Sequence, residues 1–226
     1  MSRERYLAWE WETPEEMQLR LAGEQARADY LSDRAYRSDW VAGQLGLTAE
    51  SSVFEIGSGE GVMAAALAPR VGRLCCADVS KSFLDIARET CRELPNVDYH
   101  LIEDDYLETL PSDSFDAGYS LNVLIHLDAY EILLYLRQVA RLLVPGGQFV
   151  FNFLELGEVT WQFFRGDLAR YRHAQPVETK GMLTWHHRET VAALAVEAGL
   201  VPDLDGLLDE DGVVYLVLRR PEASER

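Results

Sequence analysis

Val53-Phe54-Glu55-Ile56-Gly57-Ser58-Gly59-Glu60-Gly61-Val62-Met63 is the stretch from which the rest of the chain can be read. A short apolar run meets three glycines at alternate positions, and an alanine-rich segment, 64–68, follows. Strand, glycine loop, helix is how a parallel sheet offers backbone N–H groups and a helix N-terminus to a ligand. Glycine suits such a loop because a side chain would hold the ligand away and because a tight turn can require positive φ. The spacing is G-x-G-x-G, which differs from the G-x-G-x-x-G of dinucleotide loops. A purely structural turn would leave the same trace, so the remainder of the chain has to decide.

Downstream, strand and helix alternate. Segments 72–79, 97–102, 115–122 and 148–154 read as near-continuous apolar strands, as expected where helices cover both faces of a parallel sheet. Helices are expected from Ser80 to about residue 94 and over 127–143, and Pro145-Gly146-Gly147 should turn the chain into the fifth strand. Upstream, Thr13-Pro14-Glu15-Glu16 reads as a capped helix start, with Met17, Leu21, Ala28 and Leu31 on its apolar side. A second helix is expected from about Ser32, burying Tyr36, Trp40, Val41 and Leu45 and stopping at Gly46. After residue 154 the pattern loosens into an aromatic-rich stretch, 155–185. A helix over 188–198 follows, with two last strands around the acidic turn Asp209-Glu210-Asp211-Gly212.

Composition narrows the function classes. At 226 residues one domain is expected, 1–226, with no internal repeat or linker. No apolar run approaches the roughly 20 residues of a membrane-spanning helix, and the charged start Ser2-Arg3-Glu4-Arg5 is no secretory signal. Cys75, Cys76 and Cys91 form neither a disulfide framework nor a metal spacing, so reduced thiols in a cytoplasmic protein are expected, with no metal. The net charge of −17 opposes nucleic acid and anionic membrane surfaces. Arg165, Arg170, Arg172 and His173 are the one mild basic cluster, and Asp167 and Glu178 dilute it.

Ligands of open α/β sheets bind beyond the carboxyl ends of the strands. The residues at those ends are Glu55 to Gly61, Asp78, Glu103 to Asp105, and Ser120 to His126. A carboxylate ending the second strand, about 20 residues past the glycine loop, can accept both hydroxyl protons of a ribose. As a helix-start acid, Asp78 also fits a purely structural role.

These stretches together, V-F-E-I-G-S-G-E-G, C-C-A-D-V-S, I-E-D-D-Y, F-D-A-G-Y-S-L-N-V-L-I-H-L and R-L-L-V-P-G-G-Q-F, resemble the class I S-adenosylmethionine-dependent methyltransferases over about residues 50–154. The resemblance implies a Rossmann-like α/β fold: a doubly wound, mostly parallel seven-stranded sheet. The N-terminal helices, 1–45, would cover it, and a lid or substrate segment, 155–185, would follow the fifth strand. Residues 186–220 would supply the last helix and closing hairpin. It further implies that Glu55, Gly57, Ser58, Gly59 and Gly61 hold the methionine part of S-adenosylmethionine, that Asp78 binds the ribose, and that Val79 lies against the adenine. Glu103 or Asp104 would accept the adenine amino group, and Asn122 would face the sulfonium end. His126 falls where many small-molecule members carry a histidine, as general base or local cap, and His186 is the reserve.

The expected reaction is methyl transfer to the oxygen or nitrogen of a small organic acceptor, with an aromatic-rich pocket suggesting a natural-product or lipid-like molecule. S-adenosylhomocysteine is the product, and a homodimer is left open. Two rivals stay in view. One is a nicotinamide dehydrogenase, for which the loop spacing and the catalytic set are wrong. The other is a methyltransferase-fold binding protein without turnover.

Overall fold

A computed structural model describes residues 26–103, 106–172 and 183–222, together with residue 224. The helix expected to start at Thr13 lies mostly outside these. In chain order the elements are α1 (Ala26–Gln44), β1 (Ser52–Ile56), α2 (Val62–Leu67), β2 (Arg73–Asp78), α3 (Lys81–Thr90), β3 (Val97–Leu101), β4 (Phe115–Ser120), α4 (Ala129–Leu142), β5 (Leu143–Leu154), α5 (Trp161–Tyr171), α6 (Arg188–Glu197), β6 (Val201–Glu210) and β7 (Val213–Arg219).

The sheet order is β3-β2-β1-β4-β5-β7-β6. Strands β1 to β5 pair in parallel, and β7 runs antiparallel between β5 and β6. From β1 the chain winds outward through β2 to β3, then returns to the other side of β1 for β4 and β5. The carboxyl ends of β1 and β4 therefore flank a topological switch point, where adjoining loops part and leave a crevice. Two apolar layers hold the sheet. One packs Phe54, Phe115, Phe149, Phe151 and Phe153 under α4 and α6. The other packs Val53, Leu74, Tyr119 and Val150 under α1 and α2. Alternate residues of one strand thus serve opposite layers, which is why the strands are apolar throughout.

Local chemistry sets the helix starts. Ser80 Oγ accepts the Phe83 N–H at 3.3 Å to begin α3. Asp128 accepts the Tyr130 and Glu131 N–H groups while the Glu131 carboxylate accepts the Asp128 N–H, a reciprocal cap that starts α4 at Ala129 rather than at 127. Helix α3 ends at Thr90, short of the expected residue 94. The Pro145-Gly146-Gly147 segment lies within β5 at a register shift: Leu143 pairs with Phe115 and Gln148 with Ala117, so the chain turns at Gly146, φ 79°, before regular pairing with β4 resumes.

The N-terminal expectation needs correcting. Helix α1 runs unbroken through Ser32, and Tyr36 is 57% exposed rather than buried. Trp40 faces inward to Tyr215 edge-on at 5.2 Å, with Val41 and Leu45 buried beside α2. Only one stripe of α1 fits the core, and Tyr36 falls off it. None of the helices among the described residues is long and apolar enough to cross a membrane.

Candidate active site

The glycine loop leaves β1 at the switch point. Gly57 donates to the Ala77 carbonyl at 2.7 Å, turning the chain across the end of β2. All three loop glycines have positive φ, and what surrounds them differs. A Cβ on Gly57 would stand 2.2 Å from Val123 Cγ2, so the β4 loop could not close over β1. A Cβ on Gly61 would meet the Ala87 backbone of α3 at 3.0 Å. A Cβ on Gly59 would meet nothing within 4 Å, because that residue faces open space.

That space is a cavity of about 420 Å³ lined by the glycine loop and the ends of β2 and β4. Its volume falls within the usual range for small-molecule sites. Asp78 closes one side. Its Oδ2 accepts the Gly59 N–H at 2.9 Å and its Oδ1 accepts the Ser80 N–H at 2.8 Å. The carboxylate is thus fixed by backbone, and each oxygen keeps a lone pair for a ligand. Burial raises its carboxyl to about 6 against these backbone donors, which favour the charged form.

Glu55 is 4% exposed, and its Oε2 has no hydrogen-bond partner among the described residues. Burial pushes its carboxyl up to about 8; the Tyr119 hydroxyl and Arg34 pull the other way and the Asp78 charge adds to the rise. Glu55 stands level with Tyr119 on the neighbouring β4. An acceptor left bare at the base of a cavity is a place for a ligand's cationic or N–H group.

Asn122 is held from both ends. Its backbone N–H donates to Asn152 Oδ1 at 2.7 Å, and Asn152 Nδ2 donates to Asn122 Oδ1 at 2.9 Å. Asn122 takes φ of 61°, a left-handed conformation that asparagine tolerates better than most residues. Asn152, fully buried in β5, was not singled out from sequence, although one polar residue in the apolar run Phe151-Asn152-Phe153 was a visible signal.

The expected site residues separate into three groups. Glu55, Gly57, Ser58, Gly59, Asp78, Val79, Asn122 and His126 line the cavity, and Gly61 caps α2 just behind it. Glu103 is exposed and does not line it; Ile102 does, and Asp104 lies outside the described residues. His186 is also outside the lining. Its Nε2 lies 3.1 Å from the Leu127 carbonyl, and Thr184 Oγ1 lies 2.7 Å from that same oxygen. The strand-like segment at 184–186 therefore straps the turn that carries His126. Sequence reading also missed Tyr30 and Arg34, which α1 contributes to the cavity wall. Burial and the Glu60 carboxylate push the Tyr30 hydroxyl well above its ordinary range, tying α1 to the glycine loop. Neither residue carries a motif; only the packing of α1 brings them there.

Of the aromatic stretch, α5 is described. Phe164 stands edge-on to Trp161 at 5.2 Å and to Trp185 at 6.1 Å, while Phe163 and Leu168 are exposed.

Comparison with known proteins places this arrangement. Residues 53–147 match the methyltransferase domain family. A demethylmenaquinone methyltransferase from Tropheryma whipplei is 33% identical over 106 residues, which is 47% of this chain and 43% of that protein. The chain thus matches less than half the length of that relative. Among solved structures, the magnesium protoporphyrin IX methyltransferase of Synechocystis PCC 6803, with bound S-adenosylhomocysteine, superposes with a TM-score of 0.66 at 14% identity. That match covers 96% of this chain and 93% of the other. The YcgJ protein of Bacillus subtilis superposes at 0.65 with 17% identity, covering 83% of this chain and 99% of that one. The segment 53–147 is thus similar to the methyltransferase domain family, and the sheet built around it shares the fold of these solved structures.

Proposed function

We propose that this chain transfers a methyl group from S-adenosylmethionine to a small organic acceptor. The observation that carries the reading is the cavity at the switch point, with a backbone-fixed Asp78 on one side and the bare Glu55 Oε2 at its base. Ribose hydroxyls would donate to Asp78, and the amino group of the methionine end would meet Glu55 and the open face of Gly59. Val79, Phe83 and Ile102 supply an apolar slot for adenine.

The donor brings a methyl carbon already activated by a sulfonium, so the protein's work is alignment and exclusion of water. Asn122, pinned by Asn152, fixes the wall where the sulfonium end would lie. His126, on the turn strapped by Thr184 and His186, would take a proton from an acceptor hydroxyl; a neutral amine needs no base. The relatives named for demethylmenaquinone and for magnesium protoporphyrin IX act, by those names, on ring-bearing small molecules, which supports a ring-bearing or lipid-like acceptor here. The exposed aromatics of α5 are suited to form part of its pocket or lid.

Calorimetric titration with S-adenosylhomocysteine and with NAD tests the donor assignment. Saturable binding of the first and none of comparable strength by the second is expected. A preference for NAD would overturn it.

A further inference from the structure

Beside the main cavity, between α1 and the neighbouring ends of β4 and β7, lies a second chamber of about 170 Å³. The two spaces share Arg34, Leu121 and Asn122 as walls, so they meet where the methyl group would be handed over. Arg34 and Arg37, three positions apart on one face of α1, both line the chamber, with the Asp33 carboxylate beside them. Each side chain is only 13% exposed.

Arg37 is partly committed. It pairs with Glu210 at 2.6 Å and Asp33 at 3.3 Å and lies over the Tyr215 ring at 4.8 Å. Its Nη1 is nevertheless buried with no acceptor among the described residues. Arg34 is less well served. Among the described residues it pairs with Asp33 at 3.7 Å, its Nη1 lies 3.9 Å from the weak acceptor Met63 Sδ, and its guanidinium lies over the Tyr30 ring at 5.0 Å. Its Nε is also buried without an acceptor. The unpartnered buried polar atoms on the chamber wall are therefore both donors, on two cations. Buried guanidinium N–H groups are costly to leave unsatisfied, and a planar fork of donors matches a carboxylate.

We propose that Arg34 and Arg37 form a carboxylate-binding subsite at the acceptor end of the cavity. It would take the acid group of an organic-acid acceptor. This deepens the methyl-transfer reading and rests on it only for naming that acid as the methyl acceptor. Arg37 lines only the side chamber and reports on the acceptor alone; Arg34 lines both spaces.

The test has two arms, read by calorimetry on the parent, Arg34→Met and Arg37→Met. The first compares S-adenosylhomocysteine with 5′-methylthioadenosine, which lacks the amino-acid end. If Arg34 serves the donor's amino-acid end instead, Arg34→Met weakens the former roughly 10- to 100-fold and leaves the latter unchanged, and the acceptor subsite is decided by the second arm. The second titrates benzoate and its neutral amide, benzamide, into protein with and without S-adenosylhomocysteine. If the subsite takes an acceptor's carboxylate, the parent prefers benzoate by about tenfold or more, both variants lose the preference, and Arg37→Met binds S-adenosylhomocysteine as the parent does. Should Arg37→Met unfold because Glu210 loses its partner, Arg37→Met with Glu210→Gln replaces it. No benzoate preference in the parent, or a preference that both variants keep, overturns the subsite. If the parent binds neither nucleoside, the methyl-donor reading fails, and the benzoate arm on unliganded protein still decides the subsite.

Discussion

Replacing Glu55 with glutamine should make the unliganded protein more stable and a poorer binder at once. Glu55 is 4% exposed with a bare Oε2, and burial lifts its carboxyl from an ordinary 4.5 to about 8. An acid whose folded value exceeds its unfolded value binds more protons folded than unfolded. Its contribution to stability is therefore full below about pH 4.5 and is lost as pH rises through about 8. At ~1.4 kcal/mol per pH unit that interval bounds the cost of holding the charge at ~5 kcal/mol. Local relaxation and water entry reduce it, and we expect Glu55→Gln to gain ~2–4 kcal/mol at pH 9. Glutamine keeps the shape and an acceptor toward Tyr119 but never ionises. Urea denaturation of parent and variant at pH 5, 7 and 9, without ligand, reads the difference directly. The gap should be small at pH 5 and widen with pH. Asp78, lifted to about 6 by burial, destabilises both proteins as pH rises from its ordinary 3.8, and its repulsion of Glu55 is present only in the parent, where it adds to the gap. Binding of S-adenosylhomocysteine by the variant should weaken, because glutamine cannot ionise to meet the ligand's amino group. A gap that stays flat or reverses between pH 5 and 9 would refute the assignment of Glu55 as a buried acid awaiting a cationic ligand.

Three further perturbations follow from the same geometry. Asp78→Ala should weaken S-adenosylhomocysteine by about 1.5–3 kcal/mol, the range for hydrogen bonds to a charged group; unchanged affinity in a folded variant would remove Asp78 from the site. Gly57→Ala combines a φ of 77° with a 2.2 Å clash on Val123. It should cost about 2–5 kcal/mol in urea denaturation, from left-handed strain and overpacking together; a loss under about 1 kcal/mol would mean that the loop moves freely. With an oxygen acceptor, His126→Asn should lower kcat by roughly 10²–10⁴ while affinity for S-adenosylhomocysteine stays nearly constant. Retention of most activity would make His126 a structural part of its turn.

What the sequence determined by itself was local or periodic. The glycine loop, the Ser80 cap, the acid that ends β2 and the β-α alternation are all written in stretches of a dozen residues or fewer, because backbone geometry and burial on both faces demand those residue types there. From them the parallel sheet, its switch point and most of the cavity floor could be read. Tertiary structure decided the rest, because it depends on which distant surfaces meet. Asn122 is held in place by Asn152, 30 residues on, which locks it across β4 and β5. His186, a chemically plausible base in the sequence, is drawn away to the Leu127 carbonyl by the bridge between 154 and 185. Tyr36 points outward while Tyr30 and Arg34 turn toward the cavity, a choice set by how α1 rolls on the sheet, which no local pattern in its sequence records.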